Sequence, residues 1–173
     1  MFATVVIAIH ALGTGCGRPH RAKQAPLAPD VPGDVEFLHY LASAPVVSVD
    51  DGARAVLLLV GGSDQWPSSP DRWDQAHKRG MLRDEWGLQP QDALDVGTLA
   101  HMLQAVLRLP SGVNGRLARL AGVGERRYAL KACVDVGLLP PSRTGQPVRG
   151  GELVSALQRA EELDGDAVRR GGS

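Results

Sequence analysis

The sequence predicts an all-α fold, with about three helix-loop-helix units sharing one core, preceded by a signal segment and a Pro-rich tether. Three observations predict it. Aliphatic residues recur at i, i+3 or i+4 and i+7 through much of residues 34–163, the spacing that lines one face of a helix. Aromatic residues make up only 4% of the chain, which leaves the core to Ala, Leu and Val and suits helix-on-helix packing. Similar stretches also return along the chain: Gly80 and Gly137 lie 57 residues apart, as do Pro90 and Pro147, while Leu99 and Leu153 lie 54 apart.

The chain begins with a segment that reads as an address. Residues 2–12, FATVVIAIHAL, form an apolar run too short to cross a bilayer but fitting the apolar part of a secretory signal. GTGC follows, and small residues ending at a cysteine after an apolar run resemble the lipobox of bacterial lipoproteins. That resemblance implies a signal peptide over residues 1–15 and a lipid on Cys16. It also implies a protein of the cell envelope, held at a membrane and facing the periplasm or cell surface. Residues 16–33, with prolines at 19, 26, 29 and 32, predict an extended tether. Residues 164–173 carry no core-forming pattern and predict a frayed tail.

Between tether and tail, VDDGARAVLLLVGG from Val49, LDVGTLAHMLQAVL from Leu94 and VRGGELVSALQRA from Val148 share one plan: an apolar residue, a short polar turn and an amphipathic helix. Asp50 and Asp95 are expected to cap the first two helices by accepting from unpaired N–H groups of the first turn. In the third, Arg149 takes the cap position and Glu152 supplies the acidic group. Before the third helix, Ala129, Leu130, Cys133 and Val136 are expected on one helical face, with Gly137 as the stop and Leu138 returning to the core. Trp73, Ala76, Gly80 and Met81 take similar offsets before the second, and Phe37, Leu38 and Leu41 supply the first. A single unit of this kind cannot bury its own apolar face, so the copies must share one core.

ALKACVDVGL, LQPQDALDVGTL and PVRGGEL together resemble the S-layer homology repeat, a bacterial module of helix, Gly stop, loop and capped helix. The resemblance spans residues 34–163 and implies binding or scaffolding at the cell wall, with peptidoglycan or wall polysaccharide as partner. The family's basic residue for acidic glycan falls on Asp51, Val96 and Gly150 here. Arg149 and Arg143 are the expected replacements, with Glu152 beside them and Trp73 or Trp86 as a sugar-stacking face. Residues 115–149 also resemble the winged helix-turn-helix of the mercury-resistance regulator family, which implies a DNA-binding alternative with Arg116, Arg119, Arg126, Arg127 and Arg143 facing phosphates. Lys plus Arg equals Asp plus Glu, 19 each, so the overall charge does not mark a nucleic-acid partner.

No catalytic constellation is present in the sequence. His39, His77 and His101 stand singly without metal-ligand spacing, and LVGGSDQW lacks the Lys and hydroxyl of a phosphate loop, so it reads as a helix end and turn. No metal and no cofactor are expected. Cys133 reads as a buried thiol, or as a disulfide partner if Cys16 carries no lipid.

Overall fold

The computed structural model describes residues 24–28, 33–110 and 124–171, the last eight by backbone alone. The signal segment and Cys16 lie outside the described residues. Within them the chain is all-α: α1 (Asp34–Ser43), α2 (Val49–Gly61), α3 (Ser69–Lys78), a 3₁₀ turn (Asp84–Trp86), α4 (Val96–Leu107), α5 (Glu125–Asp135) and α6 (Gly150–Gly171).

The helices stop where backbone chemistry stops them. Gly80 and Gly137 adopt left-handed φ of 69° and 81°, and the residues after them, Met81 and Leu138, donate back to the Ala76 and Cys133 carbonyls at 2.8 Å. Each stop turns a side chain into the core, and Met81 and Leu138 are fully buried. Gly62 ends α2 in the same left-handed region, donating to the Leu58 carbonyl. Ala129, Leu130 and Cys133 line the buried face of α5, whereas Val136 lies beyond the last helical turn and is exposed.

The helix starts correct one expectation. Asp95 caps α4, its Oδ1 accepting from the Thr98 N–H at 2.7 Å, and Glu152 Oε2 accepts from the Arg149 N–H at 3.0 Å before α6. At α2, however, the cap is Ser48 and not Asp50: Ser48 Oγ accepts from the Asp51 N–H at 3.0 Å and donates to Asp51 Oδ2 at 2.7 Å. Asp50 sits one position inside the helix, where it points at α3 and meets Arg72.

Three short turns precede these helices, and their backbones bond to one another in a closed ring. Val47 N–H donates to the Val148 carbonyl (3.0 Å), Val148 N–H to the Leu94 carbonyl (2.8 Å) and Leu94 N–H to the Val47 carbonyl (2.8 Å). All three side chains are buried, so each residue plugs the core while its peptide closes the ring. The N–H groups that a helix start leaves unpaired are satisfied across the ring. Val49 and Asp50 donate to the carbonyls of Asp92 and Pro90, Val96 and Gly97 to those of Gln146 and Thr144, and Gly150 to that of Ala44.

Helix pairing follows the ring. α3 packs on α2, α5 on α4 and α1 on α6, so the first and last helices close the domain on themselves. α2 also meets α4 and α6, and the opening turns of α2 and α4 are buried on every side.

Both flanks differ from expectation. Residues 24–28 of the tether do not stand away from the domain: Ala25 N–H donates to the Gln91 carbonyl at 3.0 Å, Gln24 pairs antiparallel with Asp92, and Ala25 is buried. The frayed tail read at 164–173 is helical through Gly171, because no proline interrupts the backbone after Gly150 and α6 simply continues.

Candidate functional site

The loop from Leu138 to Arg149 links α5 to α6. Pro140 and Pro141 stiffen its first part, Gln146 N–H closes a turn on the Arg143 carbonyl at 3.0 Å, and the carbonyls of Thr144 and Gln146 hold the start of α4. Arg159 Nη1 reaches back from α6 to the Leu138 carbonyl at 3.3 Å. Between this loop, the start of α6, the start of α4 and the end of α1 lies a cleft of about 550 Å³. Its apolar part comes from Val96, Leu99, Leu139 and Val148, and its polar rim from Ser142, Gln146, Arg149, Glu152, Ser155 and Arg159. Arg143 lies on an adjoining depression that shares Ser142 and Gln146 with the cleft.

Two arginines and one carboxylate therefore line the cleft, with Arg143 on the adjoining depression, a balance that favours an anionic ligand carrying apolar faces. Glu152 is engaged with the backbone of Arg149, which fixes the carboxylate at the rim. Of the residues the sequence singled out, Arg149 and Glu152 line the cleft and Arg143 lies on the adjoining depression. Trp73 and Trp86 are elsewhere: Trp73 is half-buried on α3 with its ring 5.3 Å from His77, and Trp86 follows the Gly80 stop with its ring 4.8 Å from His101. Neither lines the cleft, because each belongs to the α3–α4 part of the ring, not to the α5–α6 part.

Sequence reasoning missed Arg159, Ser155 and Ser142. A signal existed for two of them: Glu152, Ser155 and Arg159 follow at i, i+3 and i+7, one face of α6. Val49, Val96 and Gly150 each stand two residues after a ring residue, and their N–H groups donate to the carbonyls of Asp92, Gln146 and Ala44.

The other two helix starts are covered. At α4, Arg126 Nη1 donates to Asp95 Oδ2 at 3.1 Å and to Thr98 Oγ1 at 3.3 Å, while its guanidinium lies 5.2 Å from the centre of the Trp86 ring. At α2, the Ala28 N–H donates to the Asp51 carboxylate at 3.2 Å, so the chain's own N-terminal segment covers the turn. Of the arginines in the DNA-binding alternative, Arg126 is half-buried and paired with Asp95, Arg127 and Arg143 are exposed, and Arg116 and Arg119 lie outside the described residues.

The remaining polar groups in the interior serve packing. Arg72 Nη2 meets Asp50 Oδ2 at 2.6 Å, Arg54 Nε meets Asp64 Oδ2 at 2.8 Å beneath a stack on Phe37, and Arg83 Nε meets Glu125 Oε2 at 2.7 Å. Burial pushes the Cys133 thiol up to about 12, and its Sγ donates to the Ala100 carbonyl at 3.4 Å, so it is a packed thiol and not a nucleophile. Among the described residues no group of three His, Cys, Asp or Glu side chains gathers to hold a metal, and no helix is long and apolar enough to cross a membrane.

No known protein family, curated protein or solved structure matches this chain.

Proposed function

We propose that this chain is a non-catalytic lipoprotein of the cell envelope whose three S-layer-homology-like units bind the cell wall, with acidic polysaccharide or peptidoglycan as ligand. The observation that carries the binding role is the open cleft at the start of α6, where Arg149 and Arg159 stand beside an apolar floor and Arg143 lies on the adjoining depression. Guanidinium groups suit carboxylates and phosphates through paired hydrogen bonds, and an apolar floor suits the faces of sugar rings. The repeat reading draws support from the Gly80 and Gly137 stops and from the ring joining Val47, Leu94 and Val148. The anchor reading rests on Cys16 and the apolar run before it.

Co-sedimentation with isolated cell wall tests the binding role. The purified protein is expected to pellet with walls, and the Arg149→Glu, Arg159→Glu double variant is expected to remain in the supernatant while keeping its helical circular dichroism. Equal pelleting of both proteins would exclude the cleft. Binding to duplex DNA that falls steeply with salt would favour the regulator alternative instead. For the anchor, labelled fatty acid is expected in the wild-type protein and absent from Cys16→Ser.

A further inference from the structure

We infer that the groove at the start of α2 is a binding site for an extended peptide, held shut by the chain's own Gln24–Ala28, and that it accepts the same segment from a second copy. This goes beyond the wall-binding reading and does not rest on it.

Segment and groove meet as a strand meets a sheet edge. Ala25 N–H donates to the Gln91 carbonyl at 3.0 Å, Gln24 pairs antiparallel with Asp92, and Ala28 N–H reaches both Asp51 carboxylate oxygens at 3.2 and 3.3 Å. Ala25 is 5% exposed and is the side chain the segment buries in the groove, whereas Leu27 is 47% exposed and faces water. Pro26, which has no N–H to give, occupies a position where none is used. Recognition therefore comes from backbone bonds plus a small side chain at one buried position, which is how added strands bind.

The groove's contribution is built independently of its occupant. Asp51 is fixed by Ser48 through two hydrogen bonds, and the Pro90 and Asp92 carbonyls are already bonded to the start of α2. The comparable turn at α6 is left open as the cleft described above, so an uncovered helix start is compatible with this fold. An identical segment from another molecule would make identical bonds. The chain's own segment differs from that competitor in being covalently joined to the groove, and for a short connection this corresponds to an effective concentration on the order of millimolar.

The test uses the full chain and a fluorescein-labelled peptide of residues 22–30. Ala25→Asp places a charge at the buried position and is expected to expel the segment while leaving the helices intact by circular dichroism. Ala28→Pro, which removes the N–H donated to Asp51, serves as the second variant. Anisotropy titration is expected to show saturable binding of the peptide to Ala25→Asp. For a groove with a Kd of about 0.1 mM, the wild type should bind about tenfold more weakly, because its own segment competes. A peptide carrying the Ala25→Asp change should not bind either protein. The inference is overturned if neither folded variant binds the peptide, or if wild type and variants bind equally.

Discussion

The backbone of Gly150 passes the Leu41 carbonyl so closely that no Cβ fits between them, while its N–H donates to the Ala44 carbonyl at 2.9 Å. Resemblance would place a basic residue here; the joining of α6 to α1 requires glycine. Gly150→Ala should therefore destabilise the protein by about 3 kcal/mol, the upper range for forced overpacking, because backbone cannot move aside as a side chain can. Gly151→Ala is the control, since its nearest neighbour beyond the helix, the Ala42 carbonyl, is at an ordinary 3.8 Å. That change should be neutral or stabilise by up to about 1 kcal/mol through helix propensity. Urea unfolding of both variants decides it, and equal midpoints would remove the steric account.

Asp50 and Arg72 are 3% and 8% exposed and form the ion pair between α2 and α3, with Ser69 Oγ donating to the second carboxylate oxygen at 2.8 Å. Breaking such a pair strands a buried charge. Arg72→Met alone should cost about 3–5 kcal/mol. The Asp50→Asn, Arg72→Met double variant should cost clearly less than the sum of the single changes, and a double-mutant cycle that closes additively would show the pair to be uncoupled.

Burial raises the Asp51 carboxyl above its ordinary 3.8, outweighing the hydrogen bonds from Ser48 and Ala28 that lower it; the neighbouring Asp50 adds to the rise and Arg72 opposes it. The folded state thus holds this proton more tightly than the unfolded state. Its contribution to stability is fully present below 3.8 and is lost as pH rises through the folded-state value. The stability of wild type relative to Asp51→Asn should accordingly fall between acid and neutral pH. Unfolding free energies measured across that range check the sign, and a difference that rises with pH would contradict it.

Cys133 is fully buried, with its thiol pushed up to about 12, so almost no thiolate forms at neutral pH. Maleimide or iodoacetamide should label it in the native protein only as fast as the structure opens. Labelling should become rapid across the urea transition; fast labelling of the folded state would show an access route to α5.

The local grammar of the domain was legible in the sequence because it depends on residues a few positions apart. Gly80 and Gly137 stop helices by adopting a left-handed φ, Asp95 accepts from a donor three residues on, and Glu152 does the same in reverse. The one local slip, Asp50 for Ser48, shows the limit of this reasoning. Both residues can accept a hydrogen bond, and Ser48 holds the cap because it follows Val47 of the backbone ring directly, as Asp95 follows Leu94.

What the sequence by itself determined is helical content, the helix ends and the apolar faces, all set by propensity and short-range hydrogen bonds. Only the tertiary structure decided that α1 closes on α6, that Val47, Leu94 and Val148 join their peptides in a ring, and that Gly150 has no room for a side chain. It also decided which helix start stays open: Gln24–Ala28 covers one, Arg126 and Trp86 cover another, and the third remains a cleft. The ring and the closure of α6 on α1 depend on backbone groups meeting across more than forty residues of chain, which nearly any residue type can supply, and the covers depend on side chains brought together from different helices and segments.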